Sequence, residues 1–189
     1  MDKLRVFYDS KLINKDSELY IKAIEKNIPC IKTDIAYCNE FKEHGNYILI
    51  KPYHKDFKVV GGNNIEFDEN GLSITAEAIL RELPEELKGS RIYIINQSET
   101  VGIPLAVALM RKGATVVSMG SKSRVKFELL DACPDILISA TGDNNFMLNE
   151  KFTERALLLI DLSKDLEDKR AIRSVPTVKV LMERLTEVE

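Results

Sequence analysis

A short run, Asn96-Gln97-Ser98-Glu99-Thr100-Val101-Gly102-Ile103-Pro104, lies between an apolar segment and a helix-like one. The order strand, loop, helix puts the amides near Val101–Ile103 at a helix amino terminus. There they are expected to point outward unpaired, at the positive end of the helix dipole. In a βαβ unit that is the seat of a phosphate. Gly102 would let the backbone pass close to a ligand or take a positive φ, and Pro104 suits a first helical turn. The G-x-G-x-x-G fingerprint is absent. An ordinary strand–loop–helix connection is therefore the competing reading of this loop taken alone.

A second group follows the next apolar run: Met119-Gly120-Ser121-Lys122-Ser123-Arg124. NAD sites usually place an Asp or Glu at this point to accept from the ribose hydroxyls, and none is present here. The hydroxyls of Ser121 and Ser123, with Lys122 and Arg124, suit a ribose 2′-phosphate through charge-assisted hydrogen bonds. A solvated basic turn is the plainer alternative. The expected cofactor is NADP, with NAD possible.

Taken together, four stretches resemble the methylenetetrahydrofolate dehydrogenase/cyclohydrolase family. The first loop resembles its G-R-S-x-x-V-G-x-P: Ser98, Val101, Gly102 and Pro104 match, while Asn96 and Gln97 replace the Gly and Arg. Ala114-Thr115-Val116 followed by Ser121-Lys122-Ser123 resembles A-T-V-T-x-C-H-S-x-T. Pro134-Asp135-Ile136-Leu137-Ile138-Ser139-Ala140-Thr141-Gly142 resembles A-D-I-x-V-x-A-x-G, and Leu159-Ile160-Asp161-Leu162 resembles V-I-D-V. The resemblance implies an NAD(P) site that includes Gln97, Ser98, Val101, Gly102, Pro104, Ser121, Lys122, Ser123, Thr141 and Gly142. It also assigns the family Arg to the 2′-phosphate. Its replacement by Gln97 is expected to cost NADP about 1.5–3 kcal/mol if nothing compensates.

The resemblance reaches the first half in shortened form. Ser17-Glu18-Leu19-Tyr20-Ile21 resembles the start of the family's S-x-x-Y-V-x-x-K, whose Tyr and Lys share one helical face above the folate. The position four after Tyr20 is Ile24, not lysine. Lys22 and Lys26 lie about 200° and 240° around a helix from Tyr20, so neither simply substitutes. Lys22–Ile28 can also be read as the later K-A-x-E-x-x-G-I with a turn deleted. Ile48-Leu49-Ile50-Lys51-Pro52 resembles I-L-V-Q-L-P-L-P, with Lys51 at the Gln position. The pterin-holding K-D-V-D-G-F is matched at best by Lys58-Val59-Val60-Gly61-Gly62, with the acid missing. P-C-T-P becomes Ser73-Ile74-Thr75-Ala76, and the late glycine-rich loop survives as Ser174-Val175-Pro176-Thr177. Tyr20 and Lys51 are the catalytic candidates. Against them stand a core tyrosine and a solvated strand-end lysine.

These residues need a scaffold, and apolar runs alternate with helix-like segments along the chain, the signature of parallel α/β architecture. Strands are expected at Leu4–Tyr8, Tyr47–Ile50, Arg91–Ile95, Ala114–Met119, Asp135–Ala140 and Leu157–Leu162. Helices are expected at Ser17–Asn27, with Leu19, Tyr20, Ala23 and Ile24 inward, and at Ile74–Leu87, ended or kinked by Pro84. Further helices are expected at Pro104–Lys112, closed by Gly113, at Val125–Cys133 and at Thr177–Leu185. Between His54 and Gly71 the pattern breaks down into turns. The fold expected is α/β: a Rossmann-type parallel-sheet lobe over 76–173 and a smaller, catalytic-type α/β lobe over 1–75 plus 174–189. The last helix is expected to pack back on that smaller lobe.

Composition frames this reading. With 44% hydrophobic and 30% charged residues a sizeable core is expected. A net charge of −3 gives no electrostatic footprint for nucleic acid. The apolar runs are too short to span a bilayer, and Met1-Asp2-Lys3-Leu4-Arg5 lacks a signal-peptide pattern. Cys30, Cys38 and Cys133 read as reduced thiols in a cytoplasmic protein, and no metal site is expected from their spacing or from His44 and His54. A homodimer and a folate-type small molecule are the expected partners. The leading expectation is an NAD(P)-dependent methylenetetrahydrofolate dehydrogenase-like oxidoreductase that has lost cyclohydrolase activity. The rivals are a non-catalytic nucleotide-binding paralogue or partner subunit, and an oxidoreductase acting on a different small substrate.

Overall fold

The computed structural model of the protein describes residues 3–123 and 134–187. The chain forms two compact units, one of Met1–Asn70 with Thr177–Glu189 and one of Gly71–Pro176. The helix expected at Val125–Cys133, with Arg124 and Cys133, lies outside the described residues.

In the first unit, β1 (Leu4–Tyr8) buries Leu4, Val6 and Phe7. The helix α1 (Lys15–Asn27) begins where the Asn14 side chain accepts from the Ser17 amide at 2.9 Å, and acidic Asp16 and Glu18 complement its first turn. Its inward face is Ile21 and Ile24, whereas Leu19, expected inside, is 54% exposed. Around β1 lies a four-stranded parallel sheet, ordered β2 (Cys30–Asp34), β1, β4 (Asn46–Leu49) and β6 (Asn63–Asn64). A separate parallel pair joins β3 (Glu40–Lys42) to β5 (Lys58–Val60). Over it, Phe7 meets Phe41 edge-on at 4.9 Å, within a cluster that includes Phe57 and Tyr47. Two of these strands fall in the stretch expected to be turns alone. They are two or three residues long and mostly exposed, so they carry no apolar period of their own. The last helix, α4 (Thr177–Glu187), belongs to this unit, burying Val180, Leu181 and Leu185.

The second unit is a parallel sheet between two apolar layers. Its order is β10 (Leu158–Asp161), β9 (Ile136–Ser139), β7 (Arg91–Ile95) and β8 (Thr115–Met119). Alternation along β7 sends Ile92 and Ile94 to one face and Tyr93 and Ile95 to the other, and all four are buried. A strand covered on both faces reads as a continuous apolar run, and this one does. The first face is covered by α2 (Ile74–Arg81) and α3 (Gly102–Arg111). α2 is capped by Ser73, whose oxygen accepts from the Ala76 amide at 3.1 Å and whose hydroxyl donates to the Thr100 carbonyl. It stops at Arg81 rather than Leu87, because Pro84 disfavours helical backbone at the residue before it. From β7 the chain passes through α3 to β8, then returns across β7 to β9 on the other flank. That reversal is a topological switch point, and crevices form at the carboxyl ends of the strands beside it.

Candidate functional site

A cavity of about 520 Å³ occupies that position. Ile95, Asn96, Gln97 and Ser98 enter it from the end of β7. Met119, Gly120, Ser121, Lys122 and Ser123 enter from the end of β8, and Thr141, Asp143 and Phe146 from beyond β9. The volume falls in the range of small-molecule and cofactor sites.

Asn96 organises the first wall. Its side-chain oxygen accepts from the amides of Ser98 (2.7 Å) and Gly102 (2.9 Å), while its amide group donates to the Ala140 carbonyl at 2.6 Å. One side chain thus ties the end of β7 to α3 and to the end of β9. The remaining first-turn amides are also bonded: Val101 donates to the Ser98 hydroxyl at 3.0 Å and Ile103 to the Ser98 carbonyl at 3.0 Å. The expectation of unpaired amides over Val101–Ile103 is therefore corrected. The carboxamide oxygen of Asn96 stands at the helix terminus where an anion oxygen was expected. Gly102 is needed for a different reason from those anticipated. It takes no positive φ, and a Cβ there would lie 1.9 Å from the Asn96 carbonyl oxygen.

The second wall is a tight turn. The Ser123 amide donates to the Gly120 carbonyl, and the Gly120 amide to the Ser123 hydroxyl, both at 2.9 Å. This closure leaves Ser121 and Lys122 exposed at the tip. Gln97 turns towards β8, donating to the Ser118 carbonyl at 2.9 Å. The third wall, after β9, is tied to a buried carboxylate: the Thr141 hydroxyl donates to Asp165 at 2.8 Å.

Of the residues expected to bind cofactor, the structure brings Gln97, Ser98, Ser121, Lys122, Ser123 and Thr141 together around the cavity. Val101, Gly102, Pro104 and Gly142 are not among its lining. Val101 packs on the core and Gly102 is buried in the turn. Sequence reasoning missed Asn96, Asp143 and Phe146 as wall residues and Asp165 behind them. A cavity-facing Asn could have been suspected from its place directly after the buried strand, whereas Asp165 has no local signal.

The first unit holds the other two candidates. Lys51, just past β4, has an exposed side chain, and its carbonyl accepts from the Ser17 hydroxyl in the first turn of α1 at 2.6 Å. Tyr20 lies with its hydroxyl buried and without a hydrogen-bond partner among the described residues. Burial first, and then the nearby Glu66 carboxylate, pushes the pKa of this phenol up. Burial likewise pushes Glu66 up to about 7, against the opposing pull of Arg184 and Lys51. Arg184, buried on α4, donates to the carbonyls of Ile65 (3.2 Å) and Glu66 (3.0 Å). Ile24, the position four after Tyr20, is fully buried, so it belongs to the core and not to a face shared with a ligand. Among the described residues no group of His, Cys, Asp or Glu is placed to hold a metal ion, and no helix is long and apolar enough to cross a membrane.

The sequence pattern of the NAD(P)-binding domain of tetrahydrofolate dehydrogenase/cyclohydrolase matches residues 73–179, more than half of the chain. The chain belongs to the tetrahydrofolate dehydrogenase/cyclohydrolase family. It is 38% identical over 79 residues to the bifunctional protein FolD of Nitrosopumilus maritimus, a match covering 41% of this chain and 27% of that protein. It is 36% identical over 90 residues to FolD of Streptococcus pyogenes, covering 48% and 31%. The matched stretch is thus less than a third of the length of these relatives. Among solved structures, FolD from Campylobacter jejuni superposes with a TM-score of 0.70 at 19% identity, over 97% of this chain and 86% of that one. The Trypanosoma brucei enzyme, crystallised with NADP and an inhibitor, gives 0.69 at 18%, over 97% and 85%. The fold is that of FolD, and the second unit is its NAD(P)-binding domain.

Proposed function

We propose that this FolD-family chain is a methylenetetrahydrofolate dehydrogenase-like oxidoreductase that uses NADP in preference to NAD and has lost cyclohydrolase activity. The observation that carries the reading is the cavity at the switch point, with hydroxyls and the Lys122 ammonium among the described residues on its β8 side. Ser121, Ser123 and Lys122 form an exposed donor set for a ribose 2′-phosphate. Gln97, in place of the family Arg, is turned to the Ser118 carbonyl, so among the described residues of the cavity Lys122 is the cation for that phosphate. Ser98 serves the pyrophosphate side, and Thr141 the wall beyond β9. When bound, the cofactor supplies the hydride acceptor, and the protein's contribution is binding and orientation.

The folate is assigned to the first unit, around Tyr20, Lys51 and Glu66. The role of the acid missing from Lys58–Gly62 is assigned in this reading to Glu66. Asn64-Ile65-Glu66 keeps the polar–aliphatic–acid order of the family's D-V-D, and Glu66 is the carboxylate beside Tyr20. Loss of hydrolysis is argued from α1, where the position four after Tyr20 is Ile24 and belongs to the core. Assembly as a homodimer belongs to the same reading. Ile103, Val107 and Met110 form an i, i+4, i+7 stripe on α3 that is 50%, 38% and 54% exposed.

The test is titration of the purified protein with NADP, NAD and tetrahydrofolate, each alone, repeated with Lys122→Ala. NADP should bind more tightly than NAD, and the variant should lose several-fold in NADP affinity with NAD unchanged, as one phosphate contact is worth about 1–3 kcal/mol. Equal affinity for the two cofactors would refute the 2′-phosphate pocket. Cofactor binding without any folate binding would leave a nucleotide-binding relic in place of an enzyme.

A further inference from the structure

The carboxylate of Asp165 is completely buried, and among the described residues it accepts from the end of a neighbouring strand. One oxygen accepts from the Ser139 hydroxyl at 2.5 Å and the Thr141 amide at 3.3 Å. The other accepts from the Thr141 hydroxyl at 2.8 Å. Ser139 ends β9, and Thr141 lines the cavity. A buried charge is tolerated only where hydrogen bonds replace its lost water, and here three donors do so.

The loop that carries Asp165 is itself pinned. Asp161, the last residue of β10, is buried and accepts from the amides of Ser163 (3.2 Å), Asp165 (3.0 Å) and Leu166 (2.9 Å), while pairing with Arg173. The same loop reaches the wall again where the Gly142 amide donates to the Ser163 hydroxyl at 2.9 Å. On the cavity side, the Asp143 amide donates to the Thr141 oxygen at 3.1 Å. The Thr141 hydroxyl is therefore fixed in both senses: its proton points back to Asp165, and its oxygen holds the turn that carries Asp143.

A dinucleotide at a switch point lies across it, one half over each flank. With the adenosine half at Ser121–Ser123, the ring-bearing half lies against Thr141. We propose that Asp165 is a positioning residue for the nicotinamide half of the cofactor, acting through Thr141 from behind the cavity wall. The proposal rests on the cofactor reading given above and adds a residue that does not touch the ligand.

The experiment compares NADP with 2′,5′-ADP, which carries the adenosine half alone, on the unmutated protein, Asp165→Asn and Thr141→Val. Asparagine cannot accept from all three donors, so Asp165→Asn should weaken NADP about tenfold, the scale of one hydrogen bond to a charged group, and leave 2′,5′-ADP unchanged. Amide hydrogen exchange at Thr141–Asp143 in the ligand-free variant should quicken. Thr141→Val keeps the Asp165–Ser139 bond, so it retains the fold, and should show the same selectivity at smaller size. Equal losses for the two ligands would reduce Asp165 to a general stability role and overturn the proposal, as would no loss for either. Failure of the unmutated protein to bind either ligand would instead strike the cofactor reading itself, and this inference with it.

Discussion

Glu66 shows how burial sets the chemistry of a single residue. Its carboxyl titrates near 4.5 when free and about 7 in the folded chain. The folded state therefore holds this proton more tightly than the unfolded one. Below about 4.5 both states are protonated and the contribution to stability is whole. As pH rises towards 7 the unfolded chain ionises first and stability falls, by about 3 kcal/mol at most. Arg184 and Lys51 pull the other way, which keeps the shift from being larger. Urea unfolding midpoints of the protein and of Glu66→Gln, measured from pH 4.5 to 7.5, check this. The protein should lose stability across that window and the glutamine variant should lose much less. Parallel profiles would show that the carboxyl is not the source.

At the level of elements, the switch-point loop and the helix it feeds behave as one piece. Asn96 bonds to Ser98, Gly102 and Ala140, and Gly102 leaves no room for a side chain against the Asn96 carbonyl. Gly102→Ala should cost at least about 2 kcal/mol, because the overlap is with backbone and only a shift of the loop relieves it. Thermal unfolding reads the loss, and NADP binding should weaken with it. A melting temperature equal to the unmutated protein's would mean that the close approach is not real. The same contrast explains what the sequence could and could not reveal. β7, β9 and β10 were readable because burial on both faces makes each a largely apolar run, whereas β8 is half-buried over most of its length and shows a shorter one. β2, with only intermediate and exposed residues, is held by pairing to β1 and announces nothing by itself. The cavity's β8 turn was readable from residue types, because hydroxyls and cations clustered within four positions. Asp165 and Glu66 were not. The first gains its role from partners 24 and 26 positions away, the second from groups on other elements. The expectation of unpaired amides failed for a local reason: the Asn96 side chain takes the Gly102 amide, and the Ser98 hydroxyl and carbonyl take those of Val101 and Ile103.

For the whole molecule, the two reactions of this family make different demands, and on the proposed reading the chain would meet them unequally. Moving a hydride asks mainly that cofactor and folate be held in reactive geometry, which a binding cavity can provide without an acid or base. Hydrolysis of the methenyl product needs a positioned group to move protons, typically worth about 10²–10⁴-fold. The helix that should present that group turns Ile24 into the core, and Lys22 and Lys26 are exposed beyond it. A lysine placed at position 24 would bury an unpaired charge, so restoring the family spacing by Ile24→Lys should unfold the first unit rather than revive it. Lys51 is exposed and pulls on the Glu66 carboxyl, but it lies on a loop and not on α1. With NADP and methylenetetrahydrofolate, reduced nicotinamide should therefore accumulate, read at its absorbance band, while decay of the methenyl product stays at its uncatalysed rate. Hydrolysis well above background that vanishes in Lys51→Met would show that this lysine has taken over the missing role. It would make the chain a bifunctional enzyme, contrary to the loss argued from α1.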